Sequence, residues 1–283
     1  MVNAMYSLIV TTQGDRIEEF NRLLESLKLQ TFSNFELIVV DQSTTTAIEV
    51  ICNKYAYKVN HYRTGKKMSL SAARNIGLRL ATGDYVAFPD DDCWYPADLL
   101  LQIDSCFSSH PEISCVCCCG YDPELGRPLS SRVSSNAVVN ISEINALRYP
   151  MSIGIFAKFD KTIFFDEELG AGTKWGAGEE SDYVLKLLDK GHKIMYFRDI
   201  LVYHPYNNNS TTFQINKTYR YGQGYGALIK KAVKRGQKEV LVEYFIVLIR
   251  SLGGCVVNIV RLNPVWRNYH ARIKGLVNGL ISA

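Results

Sequence analysis

Tyr85-Val86-Ala87-Phe88-Pro89-Asp90-Asp91-Asp92-Cys93-Trp94 decides the fold: an apolar run that reads as a buried strand ends in three consecutive carboxylates. Strand side chains alternate between two faces. The spacing therefore predicts Asp90 and Asp92 on one side, with Asp91 turned aside. Two convergent carboxylates repel each other unless a cation lies between them. Hard divalent ions such as Mg²⁺ and Mn²⁺ take oxygen ligands of this kind and complete their shells with phosphates. The stretch points to a metal–diphosphate site. The alternative is a solvated acidic loop or a helix N-terminus, where Asp and Pro are common.

Around this run, strands and helices alternate. The pattern predicts strands over residues 6–12, 35–41, 57–62, 84–88, 113–119 and 193–203. It predicts helices over 17–29, 46–54, 71–82, 96–110 and 180–190, the third stopped by Gly83. Continuous apolar strands alternating with helices give an α/β fold, a mostly parallel sheet covered on both faces. Ligands of such sheets sit at the carboxyl ends of the strands, where Asp41 and Asp90–Asp92 lie. Residues 123–140 read as a loop or short hairpin, and 162–169 as a strand and turn. Gly170 to Gly178 holds four glycines around Trp175. Residues 213–235 read as a helix broken by Gly222, Gly224 and Gly226.

Composition narrows the class. The chain has 283 residues, 47% hydrophobic, and a net charge of +4, enough apolar material for a sizeable core. Residues 214–283 hold twelve Lys/Arg against two Asp/Glu, while the remainder carries 20 basic and 26 acidic residues. An acidic body with a basic, apolar C-terminal part suggests an anionic surface as partner. Residues 240–260 are long enough to span a bilayer, but Glu243, Arg250 and Asn258 interrupt them. The expectation is an amphipathic membrane-surface element with Arg261, Arg267, Arg272 and Lys274 facing lipid phosphates. The alternative is helices packed on the catalytic domain. No nucleic-acid-binding motif accompanies the basic residues. Residues 1–6 carry no basic region, an expectation of no secretory leader. Of eight cysteines, four crowd into Cys115-Val-Cys-Cys-Cys119. No disulfide or zinc spacing explains them, so they read as small buried side chains in a reducing compartment.

Two further sites carry chemistry. In Gly178-Glu179-Glu180, glycine brings backbone close to a ligand, and the acids enter the first turn of a helix, whose dipole favours carboxylates. A carboxylate at a pocket edge can serve as a general base. His204 ends a strand, where a neutral imidazole can bind a metal; the other four histidines lack such a context.

In order along residues 5–205, these segments resemble the family-2 glycosyltransferases, inverting enzymes of the GT-A fold. Tyr6–Thr12 resembles the family's first strand, so Thr11 and Thr12 would line the nucleotide pocket. Leu29-Gln30-Thr31 with Phe35–Ser43 is similar to its second strand, so Asp41 would contact the donor base. Ser71-Ala-Ala-Arg74-Asn75-Ile-Gly77 matches its "A-x-A-R-N-x-G" helix: Arg74 would lie near the donor, and Asn75 would set loop geometry at the substrate site. Thr82–Asp92 matches "G-D-Y-I-x-F-L-D-x-D-D". Asp90 and Asp92 would hold Mn²⁺ or Mg²⁺ and the diphosphate, with Asp91 beside them and His204 as a late metal ligand. Glu179 and Glu180 match the "G-E-D" step, with Glu180 as catalytic base and Trp175 a sugar-stacking candidate. Gln42 and Cys93 depart from the usual acids, which loosens the nucleotide assignment. Tyr221-Gly-Gln-Gly-Tyr-Gly-Ala227 and the basic C-terminus look like bacterial surface-polysaccharide transferases.

The resemblance implies a nucleoside-diphosphate-sugar donor, a lipid-linked glycan acceptor, and a cytoplasmic protein peripheral on the inner face of the plasma membrane. It also implies a 1–212 catalytic unit, divided at residue 119 into donor and acceptor halves, and a helical extension over 213–283. The rival classes are a non-catalytic sugar-nucleotide-binding protein, a nucleotidyltransferase and a membrane-surface scaffold. A nucleotidyltransferase would carry a glycine-rich basic phosphate loop after the first strand. Thr11-Thr-Gln-Gly-Asp15 has one glycine and no lysine.

Overall fold

A computed structural model describes residues 4–55, 57–130, 135–206 and 211–283, with the backbone alone for 211–213. Residues 1–3 of the expected leader-free N-terminus and 131–134 of the expected 123–140 loop lie outside it.

Among the described residues, nine strands form one mixed sheet. β1 (Tyr6–Thr12), β2 (Phe35–Asp41), β3 (Val59–Arg63) and β4 (Tyr85–Ala87) are parallel, in the order β3-β2-β1-β4. β8 (Ile155–Lys158) pairs antiparallel with β4 and with β5 (Cys115–Asp122). β5 pairs parallel with β9 (Ile194–Tyr203), β7 (Val138–Ile141) closes the edge antiparallel, and β6 (Arg127–Pro128) hairpins back on β5. The antiparallel insertion of β8 has no counterpart in the sequence reading. Four residues long, it is too short to show a period.

The alternation builds two cores, one per sheet face. Leu8, Val10, Leu37 and Val39 pack on one side with α1 (Ile17–Lys28) and α4 (Leu99–Ser109). Ile9, Ile38 and Val40 pack on the other with α3 (Leu70–Leu80) and α5 (Glu179–Asp189). A short α2 (Ala47–Cys52) joins β2 to β3. Cys115, Cys117 and Cys119 belong to one core and Cys118 to the other. All eight cysteines are free, and the four of the cluster are buried, the small apolar role their spacing predicts.

Three local expectations need correction. Residues 162–169 are irregular backbone and turns, tied by one isolated bridge between Leu169 and Trp175. Gly83 does not stop α3, which ends at Leu80 with Ala81 already extended. A Cβ on Gly83 would meet the Met5 carbonyl oxygen at 2.7 Å, so the glycine lets the chain pass close to β1. Gly222, Gly224 and Gly226 do not break a helix: α6 (Thr211–Lys234) runs uninterrupted.

Those glycines serve packing. Gly222 and Gly226 lie against the backbone of α8 (Trp266–Ser282), where Gly275 and Gly279 face back onto α6. Gly224 sits on the backbone of Ala177. Close approach of two backbones needs residues without Cβ. In chain order α7 (Val240–Val260) separates α6 from α8, and it is the one helix among the described residues long and apolar enough to cross a membrane. One of its faces, with Val240, Glu243, Tyr244, Val247 and Ser251, is buried on the protein. Glu243, fully buried, pairs with Arg148 at 2.5 Å. Arg261, Arg267 and Lys274 are exposed, whereas Arg272 is half-buried and engaged within the protein.

Candidate active site

β4 stops at Ala87, so strand alternation does not aim the three aspartates. An isolated parallel bridge between Thr11 and Asp90 carries the chain alongside the end of β1. A turn follows, with the Cys93 amide donating to the Asp90 carbonyl at 3.2 Å. Arg22 fixes this turn: Nη2 donates to the Asp92 carbonyl at 2.9 Å and the guanidinium lies 3.7 Å over Trp94. Trp94 and Tyr203 then exchange backbone hydrogen bonds of 2.9 and 3.0 Å. That exchange carries the end of β9 to the turn and sets His204 Nε2 3.0 Å from Asp92 Oδ1.

The ligand atoms of Asp90, Asp92 and His204 lie within 4.8 Å of one another. His204 Nδ1 is 2.7 Å from the Pro205 carbonyl, which can only accept, so Nδ1 carries a proton. In the neutral ring Nε2 then presents a lone pair to a buried carboxylate oxygen that has no hydrogen-bond donor among the described residues. Two acceptors face each other, and a proton or a cation must lie between them. A metal-bound histidine holds its other nitrogen to a carbonyl in this way. The two carboxylates suit Mn²⁺ or Mg²⁺, and the imidazole adds a nitrogen donor of the kind transition metals take. Without a metal, burial lowers the His204 pKa, but Asp92 outweighs it and the net shift is upward. Burial raises Asp92, and His204 with Arg16 brings it below the usual range.

Asp91 is not turned aside. It lines, with Thr11, Thr12, Arg16, Gln42 and Asp90, a cavity of about 280 Å³ at the carboxyl ends of β1 and β2. Burial pushes its carboxyl up to about 6, against the Thr12 and Arg16 contacts. Asp41 differs from expectation. It is fully buried, 2.9 Å from His61 Nε2 and 3.6 Å from Arg63 Nε, and accepts the Ser43 amide at 2.8 Å. Gln42, not Asp41, reaches the cavity wall.

A second cavity of about 360 Å³ adjoins the first, and Asp90, Leu70 and Ala171 line both. Glu179 and Glu180 line it from the first turn of α5, opposite Tyr221, Tyr225 and Leu228 of α6. Gly178 starts α5 with φ +97°, a conformation glycine tolerates best. Burial first, then the neighbouring Glu179 carboxylate, pushes Glu180 up to about 8. Arg74, 1% exposed, stands between the acid sets, 2.7 Å from Asp90 Oδ1 and 3.8 Å from Glu179 Oε1.

Asn75 and Trp175 do not line either cavity. Buried Asn75 donates to the Phe165 carbonyl at 3.0 Å and accepts the Phe165 amide at 2.8 Å. Ser71 Oγ donates to the Leu169 carbonyl at 2.6 Å. Both therefore pin the segment leading to α5. Trp175 is 4% exposed in the core, its ring covered by Lys174 Nζ at 4.3 Å. Its sequence neighbours Gly176 to Gly178 form the cavity wall instead. Arg16, His61, Tyr221 and Tyr225 carry no site role in the sequence reading. The i, i+4 spacing of the two tyrosines on one helix face was the available signal.

The chain is similar to known proteins in sequence and in fold. The family model "Glycosyl transferase family 2" matches residues 7–160, more than half of the chain. An uncharacterized glycosyltransferase of Haemophilus influenzae is 39% identical over 102 residues, 35% of this chain and 34% of its own. The minor teichoic acid biosynthesis protein GgaB of Bacillus subtilis is 28% identical over 197 residues, 61% of this chain and 22% of its own. The chain thus spans about a third or less of these relatives' length. The solved mannosyltransferase PcManGT from Pyrobaculum calidifontis, in complex with GDP-Man and Mn²⁺, superposes with a TM-score of 0.72 at 16% identity, over 98% of this chain and 87% of that one. The fold is the GT-A fold, and the chain belongs to glycosyl transferase family 2.

Proposed function

We propose that the protein transfers a sugar from a nucleoside-diphosphate sugar to a hydroxyl of a lipid-linked glycan, with inversion, during surface-polysaccharide assembly. One observation carries this reading: Asp90 lines both cavities. The Asp90–Asp92–His204 group thereby borders the same cleft as Glu179 and Glu180. Asp90, Asp92 and His204 would hold Mn²⁺ or Mg²⁺, which would supply positive charge at the leaving diphosphate. Thr11, Thr12, Asp91 and Gln42 shape the donor side. Glu180 accepts the proton of the attacking hydroxyl, and Tyr221 and Tyr225 offer flat faces to the acceptor glycan. A base on the side opposite the leaving group gives a single displacement and hence inversion. A polysaccharide role is supported by the likeness to GgaB.

The lipid on the acceptor agrees with the C-terminal helices. The outer face of α7 is apolar and exposed, and the residues after Glu243 include no acid. We place the protein on the inner face of the plasma membrane, bound through this face.

The test is release of nucleoside diphosphate from UDP-, GDP- and dTDP-sugars, with and without Mn²⁺, by the wild type and Asp92→Ala. Metal-dependent release from one donor class, lost in the variant, is expected. Equal release by the variant refutes the metal–diphosphate assignment.

A further inference from the structure

Arg16 immediately precedes α1 and reaches across the donor-side cavity to the aspartate turn. Its Nη1 lies 2.5 Å from Asp92 Oδ2 and 3.1 Å from Asp91 Oδ1. The side chain is 47% exposed, while both carboxylates are nearly buried. Asp92 is thus held between two groups, His204 at Oδ1 and Arg16 at Oδ2. Arg74, the other guanidinium beside the turn, is buried and committed to Asp90 and Glu179.

Three successive carboxylates at a poorly solvated turn need compensating charge. Arg16 supplies it from a half-exposed side chain that can move. A divalent ion bound at Asp92 would sit close to this guanidinium, and two cations sharing one carboxylate repel strongly where water is scarce. A donor diphosphate in the cavity that Arg16 lines offers the guanidinium a second anion, with bidentate geometry.

We propose that Arg16 is a resident counter-cation of the metal site: it occupies Asp92 and Asp91 before the donor arrives, and it transfers to the donor diphosphate as metal and donor enter together. Arg16 is then a positioning residue that makes metal binding depend on the nucleotide. The inference rests on the metal–diphosphate assignment above.

The experiment measures Mn²⁺ binding to the whole protein by the loss of the free-ion paramagnetic resonance signal, with and without UDP and GDP. Variants are Arg16→Ala, Arg16→Lys and Asp92→Ala, with circular dichroism as the control for folding. Without nucleotide, Arg16→Ala should bind Mn²⁺ on the order of tenfold more tightly than wild type, from the relieved repulsion. With a nucleoside diphosphate the advantage should vanish or reverse, because the variant loses a diphosphate contact. Arg16→Lys, which keeps the charge, should stay near wild type. Unchanged or weaker Mn²⁺ binding by Arg16→Ala without nucleotide would overturn the proposal, as would an advantage that persists with nucleotide. If Asp92→Ala still binds Mn²⁺ normally with nucleotide, the metal assignment itself fails, which is a separable result.

Discussion

Arg74 Nη1 stands 3.8 Å from Glu179 Oε1, while Nη2 of the same guanidinium lies 2.7 Å from Asp90 Oδ1. One buried cation therefore links the acid at the junction of the two cavities to the first acid of α5. Glu180, the next residue, forms no ion pair among the described residues. Arg74 stabilises its charged form to some degree, but burial and the Glu179 carboxylate outweigh that. The two adjacent acids are chemically distinct for this reason.

That asymmetry gives a pH prediction. Burial and Glu179 both disfavour the charged form of Glu180, so its carboxylate forms at higher pH than an ordinary glutamate's. A base must be ionised to work, so turnover should rise with pH through a region near 8. Glu179→Gln removes the nearby negative charge and should move the rising limb to lower pH. Glu180→Gln should cut turnover by about 10²–10⁴, the usual range for a general base, with donor binding kept. A profile flat from pH 6 to 9 with Glu180→Gln fully active would remove Glu180 from the chemistry.

The helix pair α6–α8 gives a second prediction. A Cβ at Gly279 would land on the Gln223 carbonyl, and one at Gly275 on the Tyr219 carbonyl. Side chains here must push the helices apart. Gly279→Val should cost about 1–3 kcal/mol, the scale of overpacking, and lower the melting temperature by about 2–4 °C per kcal/mol for a chain of this size. Tyr221 and Tyr225 ride on α6, so the acceptor KM should rise while nucleoside-diphosphate binding stays near wild type. An unchanged melting temperature would show that the glycines are not needed for close packing.

The sequence carried the parts of this site that strand ends and ordered motifs encode. Glu179 and Glu180 open α5 and His204 follows β9, while Asp90–Asp92 lie in a turn beyond β4 that the bridge to Thr11, not strand alternation, positions. It missed what depends on chain crossings. Asp41 reads as a free strand-end acid, but β3 lies beside β2 and brings His61 and Arg63 onto it. Arg16 lies 75 residues from Asp91, and no local period connects them. Gly222, Gly224 and Gly226 read as breakers because glycine is poor in an isolated helix; backbone-to-backbone packing on α8 and Ala177 overrides that preference.

The last prediction concerns the outer face of α7. Val242, Phe245, Ile249, Leu252, Val256 and Val260 are each 46–77% exposed, and their spacing places them on one side of the helix. The charge that would spoil a membrane contact, Glu243, is turned inward onto Arg148. Arg250 on the same helix, Arg261 just after it and Arg267 in the first turn of α8 are exposed. An apolar stripe with a basic border suits an in-plane helix on anionic lipid. The protein should therefore sediment with vesicles of phosphatidylcholine and phosphatidylglycerol, weakly with phosphatidylcholine alone, and less at high salt. Phe245→Asp with Ile249→Asp should abolish sedimentation while the circular dichroism spectrum is unchanged. Should the double variant instead dissociate a dimer in light scattering and keep its vesicle binding, the face joins two copies of the chain and the membrane assignment falls.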